Sequence, residues 1–112
     1  MTTREADMPY MLVRLEVAYG RVGEFSEIMS HLVPILEKKG WRLHGAFVNR
    51  IGRLNRCYDL WEIPDASAVQ SVLELAAKEP EFAEWSPKLN ELLLEEELEL
   101  MNELPYYRER TA

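Results

Sequence analysis

From Met11 to Tyr19 the apolar residues fall on alternate positions, and from Phe25 to Leu36 they fall three or four apart. This change of period constrains the fold more than any other feature of the chain. A period of two marks a half-buried strand, and a period near 3.6 marks an amphipathic helix. Val13, Leu15, Val17 and Tyr19 point one way from the first segment, Arg14 and Glu16 the other. Gly20–Gly23 reads as a turn. Phe25, Ile28, Leu32, Ile35 and Leu36 then form a single stripe, with Lys38 and Lys39 favourably placed at a helix C-terminus and Gly40 as the stop. Pro34 removes a backbone hydrogen bond from this helix and is expected to kink it.

The pattern continues with a second strand over Trp41–Ile51, placing Leu43, Phe47 and Ile51 on one face and Arg42, His44 and Arg50 on the other. After a break at Gly52–Arg53, Leu54–Ile63 is a third strand, rich in aromatic residues and ended by Pro64. Asp65 is the expected cap of a second helix carrying Val69, Val72, Leu73 and Ala76, with Pro80 closing it. Glu81–Lys88 reads as a short helical turn that places Phe82 and Trp85. The Leu- and Glu-rich segment that follows has helix propensity. Leu98, Leu100 and Leu104 nevertheless alternate with Glu97, Glu99 and Glu103, which predicts a strand over 95–104. Residues 10–105 thus make one domain, between an extended or disordered lead-in over 1–9 and a polar tail over 106–112.

The order β-α-β-β-α-β predicts an α+β, ferredoxin-like fold: an antiparallel four-stranded sheet with both helices on one face. The other face would carry Leu12, Ala18, Ala46 and Val48 beside Arg14, Glu16 and His44, too apolar a surface to stay wet. A chain of 112 residues hides only about two thirds of its unfolded surface. Two bare faces packed together would form a dimeric α+β barrel, so a homodimer is expected.

Charge narrows the partners. Thirteen Lys and Arg against twenty Asp and Glu give a net charge of −7, which argues against nucleic acid and anionic membrane surfaces. No apolar run approaches the ~20 residues of a membrane span. Residues 1–9 lack the apolar centre of a signal peptide, and Cys57 is the lone cysteine, so a reducing cytoplasm is the expected setting. Gly20 and Gly23 fit no phosphate-binding motif, and the Glu-rich stretch at 95–97 lacks the alternating donors and glycine of a calcium loop. His31 and His44 lie on different elements with no metal-ligand spacing, and neither a metal nor another cofactor is expected.

Among candidate site residues, His44 stands mid-strand on the face of Arg14 and Glu16, where it could act as a base or anchor a ligand, or serve as a hydrogen-bonded group within an interface. Tyr58, Trp61 and Asn49, on or near the hairpin of the second and third strands, could line a small-molecule cavity; Trp61 could equally be core. Asn55 reads as a turn residue, His31 as a partly exposed helix residue, and Cys57 as a buried structural thiol, with Arg56 on the opposite face by parity.

Several stretches resemble the NIPSNAP family. These are Leu36-Glu37-Lys38-Lys39-Gly40 followed by Leu43-His44-Gly45-Ala46-Phe47, Ile51-Gly52-Arg53-Leu54-Asn55 with Leu60-Trp61, and Glu79-Pro80-Glu81-Phe82-Ala83-Glu84-Trp85 with Lys88-Leu89. They follow one another in the family's order, and the Gly-Arg-Leu-Asn and Leu-Trp pair is the most specific. The sequence departs from the family where a histidine often precedes Leu-Trp, a place held by Asp59, and in the first strand, where Val13 and Leu15 replace Arg and Tyr. The resemblance implies a dimeric α+β barrel and no single reaction. The expected function is binding of a small organic ligand or a partner. The alternative is a small cofactor-free enzyme, monooxygenase- or cyclase-like, acting on an aromatic or polyketide-type substrate; this rests on analogy with barrels of the same architecture.

Overall fold

The computed structural model describes residues 8–111, the last three by their backbone alone. The expected lead-in over 1–9 lies almost wholly outside the described residues. The elements run β1 (Tyr10–Val17), α1 (Val22–Lys39), β2 (Arg42–Val48), β3 (Arg56–Glu62), α2 (Ala68–Ala76), α3 (Pro80–Leu92), β4 (Leu93–Met101) and α4 (Pro105–Thr111). The sheet order is β2-β3-β1-β4, and every neighbouring pair is antiparallel. This is the ferredoxin-like α+β arrangement that the periodicities predicted.

β1 sits between β3 and β4, and its alternation decides which face is core. Met11, Val13, Leu15 and Val17 are buried on the helix side with Cys57 and Trp61 of β3, and the α1 stripe of Phe25, Ile28, Leu32, Ile35 and Leu36 packs down on them. Trp41 closes one end: its indole Nε1 donates to the carbonyl of Ala68 at 2.8 Å, tying the start of β2 to α2. The N-cap of α2 is Ser67 rather than Asp65; Asp65 holds the turn just before it, its Oδ1 accepting the backbone N–H of Ser67 at 2.9 Å and of Ala68 at 3.2 Å.

Three further expectations need correction. The segment after α2 is a helix of 13 residues rather than a single turn. Pro80 does more than close α2: it occupies the first helical position of α3, where its missing N–H costs nothing. Residues 105–111 form a short helix instead of an irregular tail.

The third correction matters most for function. The β2–β3 register shifts between Leu43 and Gly45, so both His44 and Gly45 stand opposite Leu60. Such a bulge reverses strand parity beyond it. Leu43 still faces the helices, but Phe47 pairs with Tyr58 on the open face, while Ala46 and Val48 turn to the helix side, where both stay exposed on the edge strand. Gly45 leaves room for the Phe47 ring, which lies 2.7 Å from where a Cβ would sit and, being exposed, would have to turn away from a larger residue.

Candidate functional site

The open face is organised into paired charges around an apolar centre. Leu12, Leu60, Tyr58 and Phe47 occupy the middle strands and one edge. Around them Glu16 accepts from Arg53 Nε at 2.8 Å and from Arg56, and Arg14 pairs with Glu97 of β4. Arg56 holds the Glu16 carboxyl below the usual carboxylate range, against the opposing effect of burial. Tyr10 donates to Glu103 at 2.9 Å, and burial followed by that hydrogen bond pushes its hydroxyl up to about 12.

His44 lies on this open face. Its Nε2 is 2.7 Å from Glu62 Oε1, and its ring meets Tyr10 edge-on with centroids 5.3 Å apart. Tyr58 shares the face, two pairing positions away along β3. Trp61 points to the opposite side, 2% exposed, with its ring 5.2 Å from Trp41. Asn49 bridges the loop after β2, its Nδ2 donating to the carbonyl of Arg53 at 2.9 Å. Asn55 holds a left-handed backbone (φ 66°) in the same loop, consistent with its expected turn role. The sheet thus divides the four candidates: His44 and Tyr58 on the outside, Trp61 in the core and Asn49 in a turn. His31 stacks on Trp85 with centroids 3.8 Å apart, and its Nδ1 lies 2.8 Å from Glu81, joining α1 to α3.

The concave site lies on the helix side. A cavity of about 190 Å³ opens between α1 and the β2–β3 pair. Val22, Phe25, Ser26, Met29 and Val33 line it from α1; Leu43, Ala46, Phe47, Val48, Cys57 and Asp59 line it from the sheet. Asp59 is the only carboxyl in this lining, and it is 5% exposed. Its causes of perturbation are burial first and then Glu96 on β4, and they raise its pKa from 3.8 to about 6. Among the described residues no hydrogen bond or ion pair reaches it. An acid in this setting can accept or donate a proton near neutral pH.

The sequence carried a signal for this residue. Asp59 stands between Cys57 and Trp61 on the core parity of β3, where an acid is out of place without a partner or a task. It also fills the position where the resembled family often has histidine.

Cys57 lines the same cavity, and burial followed by the nearby Asp59 pushes its thiol up. The folded protein should therefore react with a disulfide reagent such as dithionitrobenzoate at least about tenfold more slowly than the urea-unfolded chain at neutral pH. Equal rates in the two states would show that the thiol is neither buried nor raised.

A family model described as NIPSNAP matches residues 10–107. The fold is similar to that of an uncharacterized NIPSNAP domain protein from Burkholderia xenovorans, at 22% identity over 88% of this chain and 97% of the other, with a TM-score of 0.77. It is similar to a NIPSNAP family protein with unknown function from Agrobacterium tumefaciens, at 17% identity over 88% of this chain and 92% of the other, with a TM-score of 0.75. A structure described as an antibiotic biosynthesis monooxygenase shares the fold at a TM-score of 0.65 and 16% identity, over 88% of this chain and all of the other (100%). A search of curated proteins found no match. Among the described residues no helix is long and apolar enough to cross a membrane, and no three metal-ligating side chains come together.

Proposed function

The chain belongs to the NIPSNAP family, and from that premise we propose that it is a homodimeric small-molecule-binding domain of the cytoplasm, its ligand held in the α1–β2–β3 cavity beside Asp59. The observation that carries the reading is the combination at that site: an apolar hollow large enough for a small molecule, with one buried acid facing into it and no internal partner for that acid. Ligand sites characteristically combine an apolar lining with a few placed polar groups. On this reading His44 and Tyr58 belong to the interface. The open sheet face, with Leu12, Leu60, Tyr58 and Phe47 at its centre and the charges of its middle strands paired within the chain, meets the same face of a second copy. Self-pairing suits such a surface, because the charges nearest the centre keep their own counterions while the apolar centre leaves water and Glu95 and Glu99 stay on the exposed edge strand.

A second reading is favoured by one observation, the titration of Asp59 near 6. A small cofactor-free enzyme could use that acid for proton transfer to a bound substrate, and the fold shared with the antibiotic biosynthesis monooxygenase is an analogy in its favour.

Native mass spectrometry of the purified protein tests the binding reading. The expected species is a dimer at twice the 13.1 kDa chain mass, with a bound small-molecule mass that denaturation releases. Ala46→Phe, which fills the cavity mouth from β2, should abolish that bound mass and leave the dimer intact. A ligand retained by Ala46→Phe would place the site elsewhere. A monomer that carries no mass and is stabilised by no compound in a thermal-shift panel would overturn the reading as a whole.

A further inference from the structure

The cavity's dimensions and lining also limit its occupant. Resting on the cavity reading above, we infer that the ligand is a single-ring molecule bearing one hydrogen-bond donor, and no anionic group, with the donor seated on the Asp59 carboxyl.

Size sets the first limit. An apolar protein cavity of about 150 Å³ accepts benzene, so the 190 Å³ here seats one ring and a short substituent, and the rest of any larger molecule would lie outside it, in water. The lining sets the second. Phe25 and Met29 from α1 offer an aromatic edge and a thioether, both well suited to a ring. Val22, Val33, Leu43 and Ala46 add aliphatic walls. Charge sets the third. No Lys, Arg or His lines the cavity, so a carboxylate or phosphate would find no counterion and would face Asp59 and, beyond it, Glu96. Asp59 itself presents its carboxyl to the hollow and takes no donor from the described residues. A ligand hydroxyl or ammonium seated there would supply that donor away from bulk water, where such a bond is worth most.

A phenol and an amine share this chemistry, and pH separates them. The ammonium of an amine needs the ionised carboxylate, so amine binding should fade as the pH falls through the Asp59 titration. A phenol can bond to either form and should persist.

The test is calorimetric or NMR-detected binding of toluene, p-cresol, benzylamine and benzoate to the wild-type protein and to Asp59→Asn and Asp59→Leu. At about pH 7.5 the wild type should bind p-cresol or benzylamine at least about tenfold more tightly than toluene and should not bind benzoate, one good hydrogen bond being worth roughly that factor. Asp59→Leu should reduce the donor-bearing ring to the affinity of toluene, and Asp59→Asn should keep the phenol better than the amine. Equal wild-type affinities for toluene and the donor rings would overturn the inference while leaving the cavity as a binding site. Benzoate binding as tightly as p-cresol, or a donor preference unchanged in Asp59→Leu, would overturn it as well. Failure of every probe, toluene included, would remove the cavity reading together with the inference.

Discussion

Leu60→Glu is expected to turn the dimer into a folded monomer at micromolar concentration. Leu60 lies at the middle of the open face, opposite Leu12 on β1 and the His44–Gly45 bulge on β2. Burying a leucine against a second copy stabilises the pair by about 1.5–3 kcal/mol, and the two-fold relation applies the loss twice. A carboxylate there would also be buried near Glu62, two residues along the same strand, and in the cross-strand row that runs through Leu12 to Glu99. We expect the dimer to weaken by at least about 100-fold, the equivalent of roughly 2.7 kcal/mol, with the circular dichroism spectrum unchanged. Sedimentation equilibrium reads this directly. An association constant equal to that of the wild type would show that the open face is not the interface.

The second large effect is a gain. Asp59→Asn should make the protein more stable at neutral and alkaline pH. Burial raises the carboxyl from 3.8 to about 6, so the folded chain holds this proton more tightly than the unfolded chain. The sign follows from linkage: the contribution is fully present below about 3.8 and is lost as the pH rises through about 6. An ionised Asp59 therefore costs the folded state about 3 kcal/mol at pH 7.5 and above. Asparagine still buries an amide without a partner, which reduces the net gain to about 1–2 kcal/mol. Urea unfolding across the pH range should show the variant gaining on the wild type between about pH 4 and about pH 7, where linkage concentrates the change. A constant difference between the two proteins over that window would mean that Asp59 does not titrate with folding.

A buried acid that weakens its own fold is the usual mark of a site kept for a task. The opposite holds for Glu16, whose two arginines make it part of the surface framework.

Much of the architecture was legible because local period and tertiary burial agree. The alternation of β1 and the stripe of α1 needed nothing beyond side-chain parity, and β4 was readable despite its glutamates because Leu98 and Leu100 keep the strand period. The run of glutamates there is tolerated because β4 is an exposed edge strand, and Arg14 pairs with Glu97. The second crossover was harder. Pro80 is compatible both with ending one helix and with starting the next, and only the packing of α3 against α1, including the His31–Trp85 stack, decides between them.

The candidate site was less legible for a single geometric reason. The bulge at His44–Gly45 cannot be seen in a hydrophobicity pattern, and it exchanges the faces of Ala46, Phe47 and Val48. Parity without the bulge places Ala46 and Val48 on the open face and hides the wall of the cavity. His44 drew attention as the polar residue of β2, yet it belongs to a surface cluster with Glu62 and Tyr10. Asp59 stood out in the sequence only as a departure from the resembled family's histidine, although unbroken β3 parity sets it between the core residues Cys57 and Trp61.

The central claim, that Asp59 is a partnerless acid in an apolar hollow, is open to direct measurement. The carbon-13 shift of its carboxyl, followed from about pH 3 to about pH 9 with Asp59→Asn as the assignment control, should inflect near 6, well above the ordinary carboxylate range. An inflection near 4 would place the side chain in water, and the cavity would lose its one carboxyl.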